Sequence, residues 1–343
     1  MAVVVPCYNY GRYLGDCVSS VTRQRGVSAT VHIIDDASTD GSIRIAEELA
    51  DRNRNVSVTE HDKNIGHIET YNEGLRQVDS DYLVLLSADD ILPPGSLARA
   101  TSLMEHHPAV GLTYGHPQAF TELPAPSPAR ARSWSVWHGG KWIDMQFRRA
   151  LGIISSPEAV VRTSVQHRVG YYNPDLPHSA DLEMWLRIAD VASVGRVNGP
   201  DQAYRRIHDM SMMTTNYGTL LRDLVERRKA YDSFLQRSLL PEEIRSELKR
   251  KVYLRMSDEA FEWAAEVASR DRSTTADVAE AVELARQLNP GYRSSYAYRD
   301  YVWTSAAPEA GKDVREIPAV IAGRITRTLG PRVRWRRWRR FGY

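Results

Sequence analysis

Asp89 and Asp90 stand side by side at the end of an apolar run, "YLVLLSADD", residues 82 to 90. Two adjacent carboxylates at the end of a buried strand repel each other and resist desolvation, so the pair predicts a positive partner. Two more polar clusters follow apolar runs in the same way. Pro6, Tyr8 and Asn9 close the run "AVVVP" and its exit, and Asp35 and Asp36 close "TVHII". Taken alone, "DDASTDGS" reads equally well as an Asx turn leading into a helix cap, since Asp and Ser favour both. Three such ends on one chain carry more, because ligands of doubly wound sheets gather at the carboxyl ends of the strands. A dinucleotide site would want Gly-x-Gly-x-x-Gly after the first strand; "PCYNYG" stands there instead and argues against that reading.

These ends need elements to position them. Residues 2–6, 30–35, 56–60 and 82–87 read as strands, and residues 13–24, 41–52 and 66–78 between them show helical spacing. Strand–helix alternation with wholly apolar strands predicts a mostly parallel sheet covered on both faces. Residues 110–120 read as a further strand. Residues 121–135 form a Pro-, Ala-, Ser- and Arg-rich loop, and such loops in compact α/β domains serve as mobile functional segments. Residues 194–209 return to strand character. Three helices then follow, traced by Leu220, Leu224, Tyr231, Phe234 and Leu235; by Ile244, Leu248, Val252, Met256, Ala260, Trp263 and Val267; and by Val278, Val282, Ala285 and Leu288, the last stopped by "NPG".

In order, "VVVPCYNYGRYL", "IIDDASTDGS", "NIGHIETYNEGL", "LLSADDILPPG", "DLEMWLRIA" and "YRRIHDMS" resemble the family 2 glycosyltransferases of GT-A fold, from residue 2 to about 213. The resemblance implies a Rossmann-like α/β domain, with a mostly parallel central sheet and helices on both faces, followed here by a C-terminal α-helical extension. It also implies a nucleoside-diphosphate sugar as donor and a hydroxyl-bearing acceptor (a glycan, a lipid-linked or a small molecule). Transfer would invert the anomeric centre. A divalent cation, Mg²⁺ or Mn²⁺, would bridge carboxylates to the diphosphate, since both ions favour oxygen ligands.

On the matching positions, the resemblance implies that Asp35 and Asp36 contact base and ribose, with Pro6, Tyr8 and Asn9 lining the same pocket and Asn64 and Gly66 shaping its floor. Packing is the alternative for Tyr8. Ser87 stands where the family's Asp-x-Asp motif has its first Asp. Asp90 is therefore expected as the direct metal ligand, and Asp89 as a ribose, sugar or further metal contact. His208 would approach the metal or diphosphate, and Arg205 or Arg206 would offer a charged hydrogen bond to phosphate. Tyr71 stands where Arg is frequent and is assigned no role. Asp181 matches the family's catalytic-base position, although Ala180 replaces the usual Glu before it. Glu183 is the rival base; positions two apart do not share a helix face, and Asp181 is preferred. An ordinary Asp titrates near pH ~3.9, so this base is ionised at neutral pH.

The expected domains are 1–215 for the glycosyltransferase core, 216–290 for the helical extension and 291–343 for a basic segment. That segment ends in "RITRTLGPRVRWRRWRRFGY", with eight arginines, two tryptophans and no acid. Ile317, Ile321, Ile325, Leu329 and Val333 recur every four residues, which suits an amphipathic helix on a membrane surface, with Gly330 and Pro331 interrupting it. A solvated basic tail is the alternative, and no nucleic-acid partner is expected. The net charge of +2 decides nothing about partners; two cysteines give no disulfide framework and no signal peptide is evident. A cytoplasmic setting is expected, with any membrane contact on the inner face of the cell membrane. A catalytically inactive nucleotide-sugar- or carbohydrate-binding protein is the competing function.

Overall fold

Val3, Val4 and Val5 are fully buried, which is why the first strand shows no alternation: helices cover both faces of it. The computed structural model describes residues 1–208, 219–270, 276–305 and 317–341. They fall into two compact units, one within Met1–Ile143 and Gly152–Ser211, the other within Asp144–Leu151 and Met212–Phe341. The expected boundary at 215/216 lies outside the described residues.

The first unit is built on an eight-stranded sheet of order β3-β2-β1-β4-β7-β5-β8-β6. Its strands are β1 (Ala2–Cys7), β2 (Thr30–Asp35), β3 (Val56–Glu60), β4 (Tyr82–Leu85), β5 (Val110–Phe120), β6 (Ser133–Trp137), β7 (Val160–Arg162) and β8 (Ser193–Arg206). The pairs β1–β2, β2–β3, β1–β4 and β5–β8 are parallel. The short β7 runs antiparallel between β4 and β5, and β6 runs antiparallel on β8. The helices are α1 (Gly11–Thr22), α2 (Ser42–Arg52), α3 (His67–Arg76), α4 (Ser96–His106), α6 (Thr163–Val169) and α7 (Ala180–Val191), while the residues of α5 (Gly139–Arg149) divide between the two units at Ile143. Packing of α3 onto β1 is close enough that a Cβ on Gly74 would lie 2.4 Å from Val4 Cγ1.

Two sequence expectations need correction. The loop expected over 121–135 ends at Ser133, where β6 begins. Before that it is tied down rather than free: Ser127 Oγ accepts from Asp201 N at 2.7 Å, and Arg99 Nη1 donates to Ala129 O at 3.0 Å. The three-residue β7 was not foreseen, being too short for any periodicity to register.

The second unit comprises α8 (Leu220–Arg237), α9 (Glu242–Arg270), α10 (Ala276–Leu288), a 3₁₀ turn at Tyr292–Ser294, α11 (Tyr296–Thr304) and α12 (Ile317–Phe341). Leu224, Phe234, Val252, Met256, Phe261 and Val282 are among its buried residues. Arg227 of α8, nearly all buried, pairs with Asp223 at 2.7 Å and with Glu259 of α9 at 3.0 Å. Asp300 of α11 accepts from Arg327 Nε of α12 at 2.9 Å. Contrary to the expected interruption, α12 continues through Gly330 and Pro331. A helix tolerates the proline's missing N–H and ring clash when other contacts hold it, at a cost of about 3 kcal/mol.

Candidate active site

The register Pro6↔Ile34 and Cys7↔Asp35 brings the ends of β1 and β2 together, and β4 lies on the other side of β1. The turn after β2 knits this edge. Asp35, fully buried, accepts from Ser38 N at 2.8 Å through Oδ2, while its Oδ1 has no partner. Asn9 Oδ1 accepts from Thr39 N at 2.7 Å, and Asn9 N donates to Ser38 Oγ at 2.9 Å. Asp36 turns the other way. Its Oδ1 accepts from Ile65 N at 2.8 Å and meets His61 Nδ1 at 2.9 Å, and its Oδ2 accepts from Gly66 N at 3.0 Å. Both oxygens are thus engaged in fixing the 61–66 loop. Asn64 closes the same turn, accepting from Gly66 N at 3.1 Å, and Gly66 has φ +89°, which its missing side chain permits. Pro6 is half-buried in β1. Tyr8 is 47% exposed, so it does not serve the core.

His61 was not singled out in the sequence. It bridges Asp36 and Glu73, with Nε2 3.0 Å from Glu73 Oε2. Burial opposes its charge, but the Asp36 and Glu73 carboxylates outweigh that and hold the imidazole above its usual pKa.

At the end of β4, Asp89 and Asp90 are both buried. Asp90 Oδ1 accepts from Arg206 N at 2.9 Å, and Arg206 Nε donates to Asp89 O at 3.0 Å, so the last residues of β8 fasten the acidic turn. His208 Nε2 lies 3.0 Å from Asp89 Oδ2, with its ring against Tyr10 and Tyr13. Asp89 Oδ1 and His208 Nδ1, both buried, have no hydrogen-bond partner. Burial, reinforced by the Asp89 charge, pushes the Asp90 carboxyl well above the ordinary range. Of the two strand arginines, Arg206 is clasped between Tyr13 and Phe120, 4.5 and 4.6 Å from the ring centres. Arg205 points to the other face, as neighbours on a strand must, and its charge eases ionisation of Asp90 and Glu158. Asp209, Met210 and Ser211 of the closing motif lie outside the described residues.

Asp181 sits in the first turn of α7, half-buried, with Ser156 Oγ donating to Oδ2 at 3.1 Å and Leu182 N donating to Oδ1 at 2.7 Å. Burial raises its pKa. Glu183, the rival base, is fully buried and bound to Arg187 Nε at 2.8 Å, an ion pair inside the fold. Two further residues reach this region without having been assigned to it. Glu158 is buried, its Oε1 accepts from Ser155 N at 2.7 Å, and its Oε2 has no partner. Burial pushes its carboxyl up to about 7, with the nearby Asp181 charge adding to the rise. Burial raises the Tyr71 phenol, and the charges of Asp181, Asp89 and Asp90 add to the rise. Asn9 (φ 61°), Ala37 (φ 59°) and Ser156 (φ 77°) are non-glycine residues held in left-handed backbone around this edge, a form of local strain that collects at functional sites.

Residues 2–164 match the family model described as Glycosyl transferase family 2. These residues form a family 2 glycosyltransferase domain. The chain that carries this family 2 domain is 32% identical over 93 residues to a teichoic acid poly(glycerol phosphate) polymerase of Staphylococcus epidermidis, a stretch covering 27% of this chain and 13% of that protein. Its structure resembles S. aureus TarS 1–349 in complex with UDP-GlcNAc, with TM-score 0.57 at 15% identity, covering 85% of this chain and 91% of that one. It also resembles the mannosyltransferase PcManGT from Pyrobaculum calidifontis in complex with GDP-Man and Mn²⁺, with TM-score 0.55 at 17% identity, covering 95% and 86%. At such identities the likeness establishes the fold, which is GT-A. The chain spans between 13% and 60% of the length of several curated relatives that it matches.

Among the described residues, no three His, Cys, Asp or Glu side chains of the family 2 domain gather into a ready-made metal cage. Asp89, Asp90 and His208 fit a hard cation in a different way: one or two carboxylates hold it and substrate phosphates supply the rest. The buried, partnerless Asp89 Oδ1 agrees with that donor set.

Proposed function

We propose that the chain is an inverting glycosyltransferase that moves a sugar from a nucleoside-diphosphate sugar to an acceptor hydroxyl, in cell-envelope polysaccharide, glycolipid or natural-product glycosylation. The observation that carries this reading is that the Asp89–His208 pair and the unpartnered Asp35 Oδ1 follow strands of one sheet, β4 and β2, that both pair with β1. The sugar nucleotides in the two neighbouring structures, UDP-GlcNAc and GDP-Man with Mn²⁺, support it.

In this reading Asp35, with Asn9, Pro6 and Tyr8, receives the base and ribose. Asp36 contributes by holding the 61–66 loop as the floor of the site. Asp89, Asp90 and His208 would hold a divalent ion, Mg²⁺ or Mn²⁺, whose charge would offset that growing on the diphosphate. Arg205 faces the phosphates from the end of β8. Asp181 takes the proton from the acceptor hydroxyl as its oxygen attacks the anomeric carbon and the nucleoside diphosphate departs. Ser156 and Leu182 N aim its two oxygens, and its raised pKa moves it toward the range in which a general base is most effective. Work at the inner face of a cell membrane completes the reading.

Thermal unfolding in the presence of UDP, GDP, dTDP or CDP, each with and without Mn²⁺, tests it. One nucleotide should raise the midpoint, and only with metal present, because a ligand that binds the native state alone stabilises by mass action. Indifference to all four, with and without metal, would remove the donor site and leave a carbohydrate-binding protein as the better description.

A further inference from the structure

The residues that do no evident work within the fold are those on the outer face of α12. One side of this helix is fixed. Ala319 and Val320 are buried, Arg327 is paired to Asp300, and Gly323 lies so near α11 that a Cβ would meet Tyr296 O at 2.3 Å. The other side carries Ile321, Ile325, Leu329, Val333 and Trp335, each 50–54% exposed. With 100° of turn per residue, Ile321, Arg332, Ile325, Arg336 and Leu329 fall within an arc of about 80°, well away from the face that packs on α11. Arg332 and Arg336 are both exposed. Along this open stripe the aliphatic side chains come first, at 321, 325 and 329, the two arginines follow at 332 and 336, and the helix contains no acid.

We propose that this stripe is a docking surface for an anionic lipid bilayer, with Ile321, Ile325 and Leu329 entering the headgroup–acyl boundary and Arg332 and Arg336 binding lipid phosphates. It extends the membrane-face part of the proposed function and depends on nothing in the transfer chemistry. Charge decides the occupant. A second copy of the helix would add the arginines of its own open stripe, Arg332 and Arg336, to these two, with no acid on either helix to relieve them. A nucleic acid would use the arginines but leave the isoleucines in water. An anionic membrane satisfies both sets, by apolar burial and by attraction worth about fivefold in affinity for each arginine near the surface. No described helix is long and apolar enough to cross a membrane, so the contact is one of lying on the surface.

Co-sedimentation of the full chain with phosphatidylcholine vesicles, with and without phosphatidylglycerol, tests this. The chain should pellet with the anionic vesicles and lose binding as salt rises. Arg332→Gln with Arg336→Gln should weaken binding about thirtyfold, and Ile325→Asn with Leu329→Asn should weaken it comparably, while thermal stabilisation by nucleotide stays as in the parent. The arginine pair keeps the test sound should the asparagine variant fold poorly. Equal binding to neutral and anionic vesicles, binding to RNA in place of vesicles, unchanged binding by both variants, or a dimer abolished by the asparagine pair would each overturn the proposal.

Discussion

At the scale of single residues, the site rests on carboxyls in unequal surroundings. Asp181 is half-buried and hydrogen-bonded on both oxygens, and Glu183, two positions on, is sealed in an ion pair. Asp181→Asn keeps the shape and removes the proposed base, so transfer should fall by about 10²–10⁴ while nucleotide-dependent thermal stabilisation persists. A fully active Asn variant would end the assignment. Glu158 titrates near 7 instead of 4.5 because burial disfavours its charge. The folded state therefore holds a proton that the unfolded chain releases. The stabilisation is complete below about 4.5 and is lost as pH rises through about 7, with the fully ionised state less stable by roughly 3 kcal/mol. Glu158→Gln should flatten that decline in denaturant titrations made across the window. Parallel curves for parent and variant would show that the carboxyl carries no such proton.

At the scale of elements, the 61–66 loop is positioned by Asp36 and His61 together rather than by its own propensity. Removing the imidazole leaves Asp36 short of one partner and Glu73 of another, so His61→Ala should cost about 1–3 kcal/mol in urea unfolding. The sign of its pH dependence follows from the raised pKa. The ion-pair contribution is fully present below the unfolded value of 6.5 and fades as pH climbs through the higher folded one. The penalty of the substitution should accordingly be larger at pH 6 than at pH 9, and a penalty that grows with pH would contradict the paired geometry. The same dependence on partners appears in β7, whose valines favour a strand but whose three residues are too few to hold one alone; it pairs with β4 on one side and β5 on the other.

At the scale of the whole molecule, each unit was legible in the sequence to a different degree. The apolar runs of β1, β2 and β4 are visible because strands covered on both faces need unbroken hydrophobic sequence, and the acids closing them are visible because a chain leaving such a strand meets solvent or ligand. The helices of the second unit announce themselves through 3.6-residue periodicity, and the spacing of Ile321, Ile325 and Leu329 was likewise readable. The family resemblance, not local sequence, is what preferred Asp181 to Glu183. What local sequence did not determine is which groups meet. Glu158 beside Asp181, Tyr71 among the acids, His61 on Asp36, and the engagement of both Asp36 oxygens all join segments far apart along the chain, and each residue has an ordinary role open to it in its own neighbourhood. Sequence fixes the period of burial and the chemical type at each strand end; desolvation and partner geometry exist only once the chain has closed on itself, and those two quantities raise the carboxyls of Asp90, Glu158 and Asp181.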